Sequence, residues 1–203
     1  MSTARYHHGN LRQALLVRGL RTAAQHGPMS LQVRDLAAAE GVSASAVYRH
    51  FPDLAHLSAD VARLAREQLA QAMLDAAATV GGRADDGLLA VRRFDAIGRA
   101  YIEFALRDPH LFDMAFQAPA APASCADEPS AWGVLSDALD ALVVAGELQP
   151  SMRADAPMVA WSAVHGLASV IVRRMLPATS GECEAITAVL GGVRRALALR
   201  SEL

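Results

Sequence analysis

The chain has 203 residues, 53% of them hydrophobic, and a formal net charge of −2. No apolar run is long enough to span a membrane, and the start of the chain lacks the apolar core of a signal peptide, so we expect a cytoplasmic protein. The two cysteines, Cys125 and Cys183, suit a reducing compartment and show no metal-ligand spacing. Alanine is abundant, while glycine and proline occur at few points, and this composition predicts an all-α fold.

About nine helices are predicted along the chain. Their ranges are 10–26, 33–40, 44–51, 53–79, 88–107, 109–116, 130–145, 156–175 and 184–200. Helix one is expected to bury Leu11, Leu15, Val17, Leu20 and Ala24. Gly27 with Pro28 is expected to stop helix one, and Gly146 to stop helix seven. Asp53 is expected to cap the long fourth helix.

Residues 41–51 contain a pattern that one packed helix alone does not explain. They read Gly-Val-Ser-Ala-Ser-Ala-Val-Tyr-Arg-His-Phe. Gly41 can take the left-handed conformation that ends a helix, and Ser43 offers an N-cap for the next one. Val47 and Phe51 give this next helix a thin apolar seam, while its polar residues face away. This arrangement is typical of a helix-turn-helix, whose second helix enters the DNA major groove.

The charges are unevenly distributed, although the net charge is small. Residues 1–60 carry six arginines and four acidic residues, and residues 61–203 carry thirteen arginines and seventeen acidic residues. A basic N-terminal part on an acidic remainder is the asymmetry expected when one end of a protein meets phosphates.

Two sets of motifs resemble one known family. Residues 6–16 (Tyr-His-His-Gly-Asn-Leu-Arg-Gln-Ala-Leu-Leu), the helix-turn-helix, and residues 48–53 (Tyr-Arg-His-Phe-Pro-Asp) resemble the N-terminal domain of the TetR family of bacterial transcriptional regulators. The resemblance extends over about residues 6–57. Farther on, residues 161–166 (Trp-Ser-Ala-Val-His-Gly) resemble the Trp-His-Gly signature of one type of C-terminal ligand-binding domain in that family.

The resemblance implies a domain organisation and an assembly. A helix-turn-helix DNA-binding domain over residues 1–52 is joined through helix four to a helical ligand-binding and dimerisation domain over residues 53–203. Helices eight and nine carry more apolar surface than one domain can cover, and in the resembled family they form the four-helix bundle of a homodimer. Two recognition helices about one DNA turn apart would then fit a pseudo-palindromic operator in double-stranded DNA.

The candidate DNA-binding residues lie on and beside helix three. Its start would present small and hydroxyl side chains to the base edges, namely those of Ser43, Ala44, Ser45 and Ala46. By resemblance, Tyr48 and His50 hydrogen-bond backbone phosphates, and Arg49 contacts a phosphate or a guanine. The alternative for Tyr48 and His50 is a purely structural role at the junction between helices three and four.

Two positions depart from the family pattern. Leu54 stands where the family commonly has lysine, which removes a phosphate contact and flattens the salt dependence by about one unit of slope. Gln32 stands at the start of helix two, where the family commonly has Ser or Thr, although its own side chain could reach a phosphate. Arg5, Arg12 and Arg34 are candidates to compensate.

A cavity enclosed by helices four to eight is also implied by the resemblance. The side chains expected to line it are those of Phe94, Tyr101, Phe116, Trp161 and His165. Core packing is the alternative for large residues at helical spacing, and a lone histidine on an apolar helix is more often a hydrogen-bonded core residue. Few cations accompany this set, so the expected effector is small and apolar or weakly polar.

These features predict a sequence-specific transcriptional regulator, a repressor that its effector releases from the operator. No nucleophile with a supporting base, phosphate-binding glycine loop or metal-ligand cluster is recognisable, so neither an enzyme nor a metal or cofactor is expected. The alternative is a dimeric helical protein-interaction module whose helix-turn-helix is vestigial. The intact block of residues 48–51 argues against this alternative, while Leu54 and the mild charge favour it.

Overall fold

The computed structural model describes residues 11–82, 87–117, 129–176 and 181–199. These residues form nine α-helices and no strand, which confirms the predicted all-α fold. The helices are α1 Leu11–His26, α2 Val33–Ala39, α3 Ala44–Tyr48, α4 Leu54–Thr79, α5 Gly87–Arg107, α6 Pro109–Gln117, α7 Ala131–Val144, α8 Ala156–Val172 and α9 Glu182–Ala196. Two short 3-10 turns, at Pro28–Ser30 and Pro150–Met152, were not predicted. None of the helices described is long and apolar enough to cross a membrane.

The described residues fall into two compact units. The first unit contains those within Met1–Ala65 and His110–Ala126, and the second contains those within Arg66–Pro109 and Asp127–Leu203. The helix α6 therefore belongs to the first unit, although it follows α5 in the chain. The helix α4 starts in the first unit and continues into the second.

In the first unit, the face that α1 turns to the core matches the prediction only in part, at Leu15. It buries Leu15, Leu16, Gly19 and Ala23, whereas Val17 is exposed. The reason is the close approach of α4, because a Cβ atom at residue 19 would lie 2.8 Å from a methyl carbon of Val61. A helix packs most closely where its side chains are smallest, and glycine therefore sets the buried face of α1.

Three helix ends lie at glycines in the left-handed region, as the sequence predicts. Gly27 has φ of 83°, Gly41 has φ of 68° and Gly146 has φ of 73°. Asp53 caps α4 as predicted, because its carboxylate accepts a hydrogen bond of 2.9 Å from the backbone N–H of His56.

Three helices, α3, α8 and α9, end three or four residues earlier than predicted, and the ends of α8 and α9 are not marked by glycine. The helix α8 ends at Val172 and α9 at Ala196, before left-handed residues Arg174 (φ 54°) and Ala198 (φ 53°). The N–H of Met175 then bonds the carbonyl of Val170 at 2.9 Å, which closes the end of α8. A non-glycine residue is rare in this region, so the sequence carries no signal for either stop.

The second unit is a bundle in which α5 packs against α7, α8 and α9. Apolar residues at helical spacing form one buried stripe on α5, namely Val91, Phe94, Ile97, Tyr101, Phe104 and Ala105. The helix α8 carries apolar residues on most of its surface, and in the single chain one side of it remains exposed. Met158 is 61% exposed and Val159 is 40% exposed.

Candidate functional site

A tight turn joins α2 to α3 in the first unit. The N–H of Gly41 bonds the carbonyl of Ala38 at 3.1 Å, and the N–H of Val42 bonds that of Ala37 at 2.9 Å. These two bonds satisfy carbonyls at the end of α2 while the left-handed glycine reverses the chain. The two helices of the predicted helix-turn-helix are therefore connected by backbone geometry that the glycine permits.

Buried side chains hold α3 on the body of the first unit. Val47 and Phe51 are buried, and the guanidinium of Arg12 lies 5.1 Å from the centre of the Phe51 ring. Arg12 also forms an ion pair with Asp60 of α4. These contacts fix the position of α3 without using the residues on its outer face.

The eight predicted DNA-binding residues differ in exposure. Six are exposed, namely Gln32, Ser43, Ser45, Tyr48, Arg49 and His50. Ala44 is half-buried, and Ala46 is only 8% exposed because it faces the core beside Val47. Ala46 is therefore placed as a packing residue in this chain rather than at the surface with its neighbours.

The two serines at the start of α3 interact with each other. Ser43 occupies the N-cap position, with φ of −78° and ψ of 153°, but its side chain does not cap the helix. Its hydroxyl lies 2.8 Å from the hydroxyl of Ser45 instead, so the predicted side-chain cap is wrong. Both hydroxyls lie at the surface, where each can donate to or accept from a base edge.

At the junction between α3 and α4, Asp53 caps the start of α4 and also contacts the side chain of His56. Besides capping the helix, the Asp53 carboxylate lies 2.9 Å from Nδ1 of His56. The hydrogen bonds from the side chain and then the backbone of His56 lower the pKa of Asp53. Tyr48 and His50 take no part in this cap, and Tyr48 is 51% exposed.

The two departures from the family pattern lie together. Gln32 and Leu54 line one groove of about 220 Å³ in the first unit, with Pro28, Met29, Leu31, Ser58 and Met114. Of the arginines expected to compensate, Arg34 is exposed and Arg12 is engaged with Asp60. Arg5 lies outside the described residues, as do residues 6–10 of the 6–16 motif and Cys125.

The second unit contains a small cavity of about 30 Å³. Its lining is formed by Met73, Phe94, Ile97, Gly98, Tyr101, Leu135, Ala160, Trp161, Val164, His165, Leu190 and Val193. Four of the five predicted ligand-binding residues are in this set, and Phe116 is not. Phe116 belongs to α6 of the first unit, where its ring centre lies 5.0 Å from that of Phe112. The other lining residues are apolar at helical spacing, which in a sequence cannot be distinguished from core packing.

Aromatic rings pack on one another along one side of this cavity. The Trp161 ring is stacked on the His165 ring, with centres 5.9 Å apart and an angle of 10° between the planes. The Tyr101 ring meets Trp161 edge to face at 5.4 Å. Trp132, which the sequence did not single out as a site residue, also meets Trp161 at 5.5 Å and is 44% exposed. We refer to Tyr101, Trp132, Trp161 and His165 as the aromatic cluster.

One hydrogen bond joins two members of the aromatic cluster. The Tyr101 hydroxyl lies 2.7 Å from Nδ1 of His165. Burial raises the pKa of Tyr101, and burial followed by the nearby charge of Arg173 lowers the pKa of His165. Both groups are therefore neutral at pH 7, and the cavity they line carries no charge of its own. No group of residues suited to hold a metal ion occurs in the described part of the chain.

Comparisons with known proteins agree with this geometry. Residues 15–60 match the family model for "bacterial regulatory proteins, tetR family", and residues 94–190 match the model for the "tetracyclin repressor-like, C-terminal domain". No curated protein is significantly similar to the chain. The two models cover the helix-turn-helix and most of the second unit.

Solved structures share the fold over almost the whole chain. A protein of unknown function from Rhodococcus sp. RHA1 is 28% identical, with a TM-score of 0.78 over 97% of this chain and 100% of that one. A TetR family transcription regulator from Marinobacter aquaeolei VT8 is 18% identical, with a TM-score of 0.65 over 97% and 100%. A TetR-family regulator from Streptomyces coelicolor is 17% identical, with a TM-score of 0.55 over 93% and 80%.

The two family models and the helix-turn-helix together define the class of protein. The chain belongs to the TetR family of DNA-binding transcription regulators.

Proposed function

We propose that this regulator is a repressor that binds a pseudo-palindromic operator as a homodimer and is released by a small, apolar or weakly polar effector. The observation that carries the proposal is the outer face of α3 and the turn after it. There Tyr48, Arg49 and His50 are all exposed, while Val47 and Phe51 anchor the helix from beneath. Hydroxyl, guanidinium and imidazole groups on a fixed helix are suited to phosphate oxygens.

The start of α3 would read the bases. Ser43 and Ser45 present hydroxyls, and the half-buried Ala44 presents a methyl group that can touch the methyl of a thymine. None of these makes a bidentate contact, so Arg49 is the residue most able to recognise a guanine. We propose residues 1–52 as the DNA-binding domain, with Gln32 as a further phosphate contact at the start of α2.

The exposed side of α8 supports the homodimer. Met158 and Val159 are apolar and exposed, and the space beyond Gly166 is open. Small residues on this side allow a second helix to approach closely, and α9 contributes the exposed Ala188. We propose that α8 and α9 of two chains form a four-helix interface.

Val159→Arg tests this interface. It should shift the protein from dimer to monomer in light scattering, because a charge buried among apolar side chains is strongly unfavourable. Val144→Arg is the matched control, since Val144 is 89% exposed on α7. A dimer that persists in the α8 variant would contradict the proposed interface.

The aromatic cluster supports an effector site in the second unit. Phe94, Tyr101, Trp161 and His165 converge on one cavity whose lining is apolar except for the bonded Tyr101–His165 pair. We propose that the second unit is of the Trp-His-Gly type, with Trp161 and His165 contacting the effector. The helix α4 contributes Met73 to the cavity and begins just after the turn that follows α3, so it is the proposed connection between effector and DNA.

The regulation would follow from a difference in the effector's affinity for two conformations of the protein. An effector releases the operator only if it binds a conformation with low DNA affinity better than the DNA-competent one. Fluorescence anisotropy with DNA from upstream of the chain's own gene, at two salt concentrations, tests the DNA-binding step. Binding that resists unlabelled random DNA is expected. The absence of binding at both salt concentrations would favour the protein-interaction alternative with a vestigial helix-turn-helix.

A further inference from the structure

We propose that the effector site has two parts separated by the side chain of Ile97, and that it takes an elongated, uncharged, mainly apolar molecule. One part is the cavity beside the aromatic cluster. The other is a wide groove between α4, α5 and α7 of the second unit. The inference rests on the proposed function in one respect, that the occupant is the effector.

The cavity alone is too small for an effector. Its volume of about 30 Å³ is enough for roughly one water molecule. Pockets that hold small organic ligands usually measure about 300–1,000 Å³. A ligand that reaches Trp161 must therefore gain space from a neighbouring region.

The groove supplies that space. It measures about 680 Å³, and Leu74, Leu89, Val134, Ala138 and Val144 are among the residues that line it. Ile97 lines both the groove and the cavity. Two pairs of consecutive residues are also split between the two spaces. Met73 lines the cavity and Leu74 lines the groove, and likewise Leu135 lines the cavity and Val134 lines the groove. The two spaces are therefore adjacent, and Ile97 is the side chain they share.

The part of the cavity wall formed by Gly98 and Leu190 is closely packed. A Cβ atom at Gly98 would lie 2.8 Å from a methyl carbon of Leu190, so α5 and α9 are closely packed there. A rotation of the Ile97 side chain, in contrast, requires no movement of a helix axis. The groove side is thus a direction in which the cavity can enlarge without moving a helix.

The charges of the groove indicate an uncharged ligand. Arg93 on α5 and Asp137 on α7 are its charged lining residues, and they are opposite in sign. The cavity beyond Ile97 is lined by neutral groups, where an ionised ligand would lose its hydration without gaining a counter-charge. A long apolar body that fills the groove and places one end against Trp161 fits both parts.

The first test uses two dyes that share one skeleton. N-phenyl-1-naphthylamine is uncharged, and 1-anilinonaphthalene-8-sulfonate carries a sulfonate. Fluorescence titration of the full chain should show tighter binding of the uncharged dye. Ile97→Ala should strengthen its binding about tenfold, because the merged space allows more apolar surface to be buried. The matched control is Ile102→Ala, since Ile102 is buried on the same helix and lines neither space.

A second pair of variants tests the groove without removing core volume. Ala141 is exposed on α7 and lines the groove, and Ala154 is exposed and lines neither space. Ala141→Arg should weaken binding of the uncharged dye about tenfold, while Ala154→Arg should leave it unchanged.

The proposal is overturned if wild-type and Ile97→Ala proteins bind the uncharged dye equally, if neither binds it, or if the sulfonate dye binds more tightly. If the Ile97→Ala protein binds the uncharged dye and the wild-type protein does not, the proposal is supported, because the Ile97 side chain would then be the only barrier between the two spaces. These assays contain no DNA, so dye binding and operator binding are measured separately. Failure of this inference can therefore be distinguished from failure of the proposed DNA-binding function.

Discussion

The two units place their candidate sites in opposite ways. In the first unit, Tyr48, Arg49 and His50 lie on the surface, and different residues, Val47 and Phe51, form the core beneath them. In the second unit, Phe94 and Tyr101 are themselves buried core residues. The first site is added to a packed domain, whereas the second is part of the packing.

This difference has a consequence for mutation. A change on the outer face of α3 removes a contact with a partner and leaves the folded chain almost unaltered. A change in the aromatic cluster removes both a ligand contact and a core contact, so its effects on binding and stability are coupled. Substitutions in the two units test that contrast.

The largest effect is expected for Trp161→Ala. Truncation of a partly buried tryptophan in contact with three other rings should lower the free energy of unfolding by about 3 kcal/mol and abolish the effector response. Urea denaturation measures the first effect. Trp132→Ala is the control. Because Trp132 is more exposed, this substitution should lower the free energy of unfolding by less than half as much. Unchanged stability together with an unchanged effector response would remove Trp161 from both core and site.

A smaller effect, on binding alone, is expected for Tyr48→Ala. Loss of one phosphate contact should weaken operator binding about tenfold in anisotropy titrations, with no change in the urea midpoint. Tyr48→Phe keeps the ring and removes only the hydroxyl, so it should reproduce most of the loss. If Tyr48→Ala instead unfolds the first unit, the side chain has the junction role and the contrast between the units fails.

The smallest effect is expected in the pH dependence of stability, through His165 of the second unit. Burial lowers the pKa of His165, so the folded state binds a proton less readily than the unfolded state does. The stability is therefore fully present above the ordinary histidine pKa near 6.5 and falls as the pH drops below it. Urea midpoints at pH 7.5 and 5.5 should differ less in His165→Gln than in wild type. His110→Gln, at an exposed position, is the control and should keep the wild-type difference.

Much of the fold could be predicted because its signals are local. Gly27, Gly41 and Gly146 end their helices, since only glycine enters the left-handed region without strain. The stops at Arg174 and Ala198 use the same conformation without glycine, so no residue type announces them. The buried face of α1 was predicted only in part, because it depends on how closely α4 approaches Gly19.

The same difference between local signals and contacts of distant residues applies to the candidate sites. The residues around α3 were predicted from their order in the chain, because turn, cap and recognition helix are consecutive. Even there, the inward position of Ala46 and the bond between Ser43 and Ser45 were not evident. For the cavity, Phe116 was grouped with Trp161 by residue type, and the fold places the two in different units.

The sequence by itself determined the helical class, most helix limits and the helix-turn-helix, since helical periodicity, glycine conformations and capping act between residues close in the chain. Only the tertiary structure decided which apolar side chains meet at the cavity, that Tyr101 bonds His165 over 64 positions, and that Ile97 lines both the cavity and the groove. Those contacts join segments that are distant in the sequence. Because any apolar residue at helical spacing could make them, only the packing of the helices decides which residues do.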